Sequence, residues 1–186
     1  MRKISFVILI ITSCLLTLIS CQDSKKTSAE KLVREWLGKE ILLPKDLPCL
    51  YMDKDTICPK PSQKSFKILV YTDSVGCTSC QLNLNLWKIY MNDADSIAPG
   101  QVDFLFYFQP KNQRELTHLL RRERLEKIIF MDKKSQLSTI NKLPKEIDYQ
   151  CFLLDKDNKV LSIGNPTLNP QIWNIYKKLF TVETNL

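Results

Sequence analysis

From residue 66 onward the apolar positions fall into alternating short and long periods. Phe66 to Thr72 is a compact apolar-rich run of strand type. Residues 80 to 92 place Leu82, Leu84, Leu86, Trp87, Tyr90 and Met91 at helical spacing. Val102 to Gln109 is nearly continuous in apolar and aromatic residues, which predicts a strand buried on both faces in the middle of a sheet. Residues 111 to 125 predict a helix with Leu116, Leu119 and Leu120 inward, and Lys127 to Met131 a shorter strand. The polar stretch 132 to 147 holds a helical turn around Leu137 to Leu143. Tyr149 to Leu154 and Lys159 to Ile163 then read as two strands joined by the tight-turn composition Asp155-Lys156-Asp157-Asn158. Pro170 opens a last helix with Ile172, Trp173, Ile175, Tyr176 and Leu179 on its buried side. The alternation predicts an α/β fold, a central mixed sheet flanked by helices.

The stretch before residue 66 is less regular. Thr27-Ser28-Ala29-Glu30 matches a capping box, and Leu32, Val33, Trp36 and Leu37 form an apolar stripe, so a helix is expected to about Gly38. A short extended run, Glu40 to Leu43, ends at Pro44. Residues 44 to 65, with Pro44, Pro48, Pro59 and Pro61, read as a loop or irregular hairpin carrying Cys49 and Cys58, a candidate disulfide in an oxidising compartment. This small helix, strand and loop extension precedes the regular part.

The compartment follows from the first residues. Arg2 and Lys3 precede an apolar stretch from Ile4 to Leu18, shorter than the roughly 20 residues that cross a bilayer, so it reads as a secretion signal. Leu18-Ile19-Ser20-Cys21 resembles the bacterial lipobox. That resemblance implies cleavage before Cys21 and lipidation of it. The alternative is an uncleaved anchor with a chance cysteine. The expected division is a signal peptide at 1–20, a tether and helix at 21–39, and a domain at 40–186. The expected location is the bacterial cell envelope, lipid-anchored through Cys21 and facing outside the cytoplasm, in the periplasm or at the cell surface.

The formal charge of +7 falls by two when Arg2 and Lys3 leave with the signal. Most of the excess is lysine scattered over helix faces, a solvated surface that proximity to anionic lipid would favour. No aromatic-interleaved basic stripe accompanies it, so no nucleic-acid partner is expected. The densest patch, Arg121-Arg122-Glu123-Arg124, suits the C-terminal end of a helix, where cations complement the dipole.

Cys77 and Cys80 carry the chemistry. Cys77-Thr78-Ser79-Cys80 lies between the first regular strand and its helix. A thiol at a helix N-terminus meets free backbone N–H groups and the positive end of the dipole, which favour the thiolate. CxxC pairs also bind zinc or serve as plain structural pairs. Zinc ordinarily wants four ligands, no second CxxC or CxxH follows, and His118 is the one histidine. A redox dithiol is the preferred reading, with no metal and no cofactor.

With the strand Ile68-Leu69-Val70-Tyr71, the CxxC after it, and Phe152-Leu153-Leu154-Asp155-Lys156-Asp157-Asn158-Lys159-Val160, the chain resembles the thioredoxin superfamily, notably the membrane-tethered TlpA/ResA-like thiol:disulfide oxidoreductases. The resemblance spans roughly residues 40 to 182. It implies a thioredoxin-like fold, Cys77 as the attacking cysteine and Cys80 as the resolving one, and partners that are envelope protein thiols or disulfides plus a redox partner. Thr78 and Ser79 replace the family's usual residues between the cysteines. Gln150 stands where the family has a cis-proline facing the dithiol, and the nearest proline is Pro144.

Thr78 and Ser79, whose hydroxyls are placed to donate to the Cys77 thiolate, and Gln150 with its neighbour Cys151 are therefore possible accessory residues. The ordinary reading of Cys151 is a small buried hydrophobe, and the sharper one a third thiol beside the active pair. Asp73 is either an acid near the dithiol or an exposed turn residue. The alternatives to an oxidoreductase are a non-catalytic thioredoxin-like lipoprotein that binds a partner and a copper-handling module. A peroxiredoxin role is weaker, since residues 73 to 80 lack the Pro, Thr and Cys context of a peroxidatic cysteine.

Overall fold

The computed structural model describes residues 27–74 and 82–183. The chain divides into two compact units, Met1–Trp36 and Leu37–Leu186. In the first, residues 27–36 are helical (α1). None of the helices among the described residues is long and apolar enough to cross a membrane.

The second unit contains β1 (Cys49–Tyr51), β2 (Lys54–Thr56), β3 (Phe66–Thr72), α2 (Leu84–Ile97), β4 (Val102–Phe108), α3 (Gln113–Arg122), β5 (Ile128–Met131), α4 (Gln136–Asn141), β6 (Cys151–Leu154), β7 (Val160–Ile163) and α5 (Pro170–Glu183). The strands form one mixed sheet in the order β2-β1-β5-β4-β3-β6-β7. β3 runs parallel to β4 and β4 parallel to β5, whereas β6 is antiparallel to β3 and β7 to β6. The near-continuous aromatic strand takes the central place, because its residues are covered on both faces.

Alternation sorts the side chains. Phe66, Ile68 and Val70 of β3 and Phe104, Phe106 and Phe108 of β4 face a core closed by Trp87 and Tyr90 of α2 and by Trp173, Tyr176 and Phe180 of α5. Trp87 sits edge-on to Phe104 and Phe106, and Tyr90 stacks on Trp173 with centroids 4.4 Å apart. Tyr90 and Tyr176 hydroxyls donate to the carbonyls of Pro166 and Gly164, both at 3.0 Å, so the buried phenols stay satisfied. Gly164 is required by its φ of 138°, a conformation that residues with a side chain rarely adopt, and a Cβ there would also crowd Ile172.

Two expectations change, and a third resolves between its stated alternatives. Ile175 is 45 % exposed, and Phe180 takes the buried place instead. Trp173, Tyr176 and Phe180 follow the i, i+3, i+7 stripe, from which residue 175 is rotated away. The proline-flanked segment after Pro48 contributes a true hairpin, β1–β2, which joins the main sheet through antiparallel pairing of β1 with β5. The run expected at Glu40 to Leu43 makes only one bridge, Glu40 with Lys159. Gly38 N–H donates to Val160 O, Val160 N–H to Lys39 O, and Ile41 N–H to Asn158 O, which covers the open edge of β7.

Cys49 and Cys58 are joined in a disulfide, with Cα atoms 5.4 Å apart, that closes the β1–β2 hairpin onto the following loop. Lys67, inside β3, is buried because its Nζ donates to Lys156 O and Asn158 Oδ1 at 2.7 Å, tying the strand to the β6–β7 turn. Burial lowers its pKa, against the pull of Asp155, Asp157 and Asp103.

Candidate functional site

The C-terminal ends of β3 and β4 and the N-terminal end of β6 meet at one end of the sheet. Thr72 pairs with Phe108 across β3 and β4, and Val70 with Cys151 across β3 and β6. Cys77, Thr78, Ser79 and Cys80 lie outside the described residues, in the connection between this end of β3 and α2, and Cys21 likewise lies outside them. Thr72 is buried and its carbonyl accepts from Gln109 N–H at 2.9 Å. On the far side Leu82 is buried and Asn83 adopts a left-handed φ of 46°, so α2 starts at Leu84, later than its apolar spacing implies. Asn83 O accepts from the N–H groups of Leu86 and Trp87, and its amide reaches Thr167 Oγ1 at 3.3 Å.

Gln150 lies beside the end of β3: its carbonyl accepts from Tyr71 N–H at 3.0 Å. There is no cis peptide bond among the described residues. A 3-10 turn, Ile147–Tyr149, leads through Gln150 into β6, which starts at Cys151, two residues after the expected strand start. The side chain is 2 % exposed. Its Nε2 donates to Lys145 O at 3.1 Å, with Pro144 O at 3.5 Å and Asp73 Oδ2 at 3.4 Å. Two fixed carbonyl acceptors orient the amide, which leaves Oε1 buried without a partner among the described residues. Asp73 is thus half-buried against Gln150, not an exposed turn residue.

Cys151 corrects a sharper expectation. Its side chain is fully buried on the helix-covered face of the sheet, its thiol is free, and burial pushes the thiol pKa far up. A sealed, protonated thiol neither attacks a disulfide nor binds a metal, so Cys151 acts as the small core hydrophobe. His118 is exposed on α3. Among the described residues no group of three or more His, Cys, Asp or Glu side chains could hold a metal ion.

Sequence reasoning missed the support beneath this end of the sheet. Asp132, fully buried, accepts from the N–H groups of Gln136 and Leu137 at 2.7 and 2.8 Å and so anchors α4. Its own N–H donates to Phe108 O. Tyr71 lies close by, its hydroxyl 3.4 Å from Gln109 Oε1. Burial raises its pKa, hydrogen bonds with Ser138 and Ser135 oppose that, and the nearby Asp132 and Asp73 charges add to the rise. The available signal was an aspartate placed at a strand end shortly before a helix.

No known family's sequence pattern matches the chain, and no curated protein matches it. Solved structures do. A 2-Cys peroxiredoxin from Plasmodium vivax superposes with a TM-score of 0.55 at 14 % identity, over 80 % of this chain and 84 % of that one. AhpC from Enterococcus faecalis gives 0.54 at 9 % identity, over 81 % and 96 %. StoA from Bacillus subtilis gives 0.47 at 17 % identity, over 70 % and 99 %. At these identities the likeness speaks for architecture alone, and the first two establish it: the chain has a thioredoxin-like fold.

Proposed function

We propose that this protein is an envelope-anchored thiol-disulfide oxidoreductase working through the Cys77–Cys80 dithiol. One observation carries the reading: on a thioredoxin-like fold, the only CxxC of the chain falls between the C-terminal end of β3 and the start of α2. In α/β sheets that edge is where a loop is exposed to ligands. The Cys77 thiolate attacks one sulfur of a substrate disulfide. That S–S bond breaks, a mixed disulfide forms, and one substrate thiolate leaves. Cys80, as thiolate, then attacks the Cys77 sulfur, releases the second substrate thiol, and leaves a Cys77–Cys80 disulfide; two electrons have passed to the substrate. Reversal of the same steps oxidises a substrate dithiol.

Lipidation at Cys21 tethers the domain on the outer side of the cytoplasmic boundary, where a disulfide such as Cys49–Cys58 persists. The test is a Cys80→Ala variant expressed in cells, with free thiols blocked on lysis. Mixed disulfides through Cys77 are expected. A second reading, a binding module without turnover, is favoured by Gln150, whose side chain packs against Asp73 where the family's cis-proline would stand. An absence of adducts in the trapping experiment supports that second reading.

A further inference from the structure

At the opposite end of the sheet from Thr72, where β3 and β4 begin, a cleft of about 460 Å³ opens between α2 and the segment after α3. We propose that this cleft binds a phosphate ester through its phosphate group. Its walls carry Lys64, Lys88, Arg124 and Lys127 against two carboxylates, Asp95 and Glu126. Its floor is apolar, formed by Ala94, Val102 and Phe104. The volume falls in the range of small-ligand sites, roughly 300–1,000 Å³.

The cations divide into two pairs. Lys64 Nζ donates to Val102 O at 3.0 Å and Lys88 Nζ to Glu123 O at 2.7 Å, so both ammonium groups are fixed beside the cleft by backbone carbonyls that do not neutralise them. Arg124 and Lys127 form no ion pair among the described residues. Of the two lining carboxylates Asp95 is engaged by Gly100 N–H, whereas Glu126 makes no hydrogen bond or ion pair among the described residues and leaves one free carboxylate against four cations. Glu123, beside the cleft, is committed to the Arg122 and Asn85 side chains. A dianionic phosphate is the natural complement of two uncommitted cations with two more at the rim.

Arg124 is one of seven non-glycine residues with a positive φ among the described residues. It follows the C-cap of α3 with φ of 49°, its N–H donating to Arg121 O. A left-handed residue after a helix is ordinarily glycine, which reaches that region without steric cost.

The arginine's position also supplies a clean test. Arg124→Gly removes the fork while suiting the backbone, so the variant folds. The full chain in a mild non-ionic detergent is titrated calorimetrically with glycerol phosphate and, separately, with monomeric short-chain phosphatidic acid, a lipid phosphate monoester, using short-chain phosphatidylcholine as the zwitterionic control. Saturable binding of either anionic probe is expected, weakened by added salt. Loss of one charge-assisted contact weakens it roughly tenfold or more in Arg124→Gly, with an undiminished melting temperature, and similarly in Lys127→Ala. Glycerol phosphate binding as tightly as the lipid identifies a soluble phosphate ester, and much tighter binding of the lipid identifies a membrane headgroup. The proposal is overturned when neither anionic probe saturates at millimolar concentration, when phosphatidylcholine binds equally well, or when Arg124→Gly binds like the parent.

Discussion

Replacing Gln150 by glutamate changes one NH2 group for an oxygen at a site of known surroundings. The amide's Nε2 faces two carbonyls, of Pro144 and Lys145, and the Asp73 carboxylate. With the side chain 2 % exposed, an ionised carboxyl there would be desolvated and, among the described residues that Nε2 now meets, would face acceptors only. Lys145 is exposed and does not neutralise the site. Burial and the Asp73 charge would raise the new group's folded-state pKa by roughly three units above an unfolded value of about 4.3. The sign follows from proton binding. Below about pH 4 the carboxyl is neutral in both states, and its O–H can replace the lost donor. Above that, the unfolded chain releases the proton first, so stability falls with pH until the folded group ionises. At about 1.4 kcal/mol per unit, Gln150→Glu should lose roughly 4 kcal/mol relative to the parent by pH 8, a large share of a marginal stability. Urea unfolding of parent and variant at pH 4 and pH 8 measures it. A gap of less than about 1 kcal/mol at pH 4 that widens to roughly 4 at pH 8 is expected; a gap that does not change with pH refutes the placement of Gln150 among acceptors.

The disulfide and the buried thiol give two further predictions. Cys58→Ala, or reduction of the parent, releases a loop closed over a sequence separation of 9 residues; chain-entropy arguments give a loss of about 3 kcal/mol, read as a lower urea midpoint. Cys151 should resist a thiol reagent in the native protein and react fully in denaturant, and Cys151→Ala should leave dithiol exchange intact while lowering stability by about 1 kcal/mol; rapid native labelling of Cys151 would contradict its burial.

Where side-chain pattern and burial coincide, the chain was legible. β3 was read at Phe66–Thr72 and β4 to within one residue, because an uninterrupted apolar run of that length fits little else than a covered strand. The inward face of α3, Leu116, Leu119 and Leu120, followed from its spacing. What escaped was set by partners distant in sequence. β1 has only three residues beside a proline, and its identity as a strand rests on pairing with β5. The start of α2 depended on the left-handed turn at Asn83, which its polar side chain tolerates but does not announce. At the site, Gln150 could be assigned by position along the hairpin. Its contact with Asp73 and the anchoring by Asp132 are tertiary facts that local composition does not encode.

The proposed chemistry needs Cys77 and Cys80 to exchange a disulfide as a pair. The full chain is equilibrated in graded mixtures of reduced and oxidised dithiothreitol, alkylated, and the peptide that holds both cysteines is weighed. One two-electron transition is expected, in which both thiols disappear together. Two thiols that stay unpaired in fully oxidised dithiothreitol would contradict it.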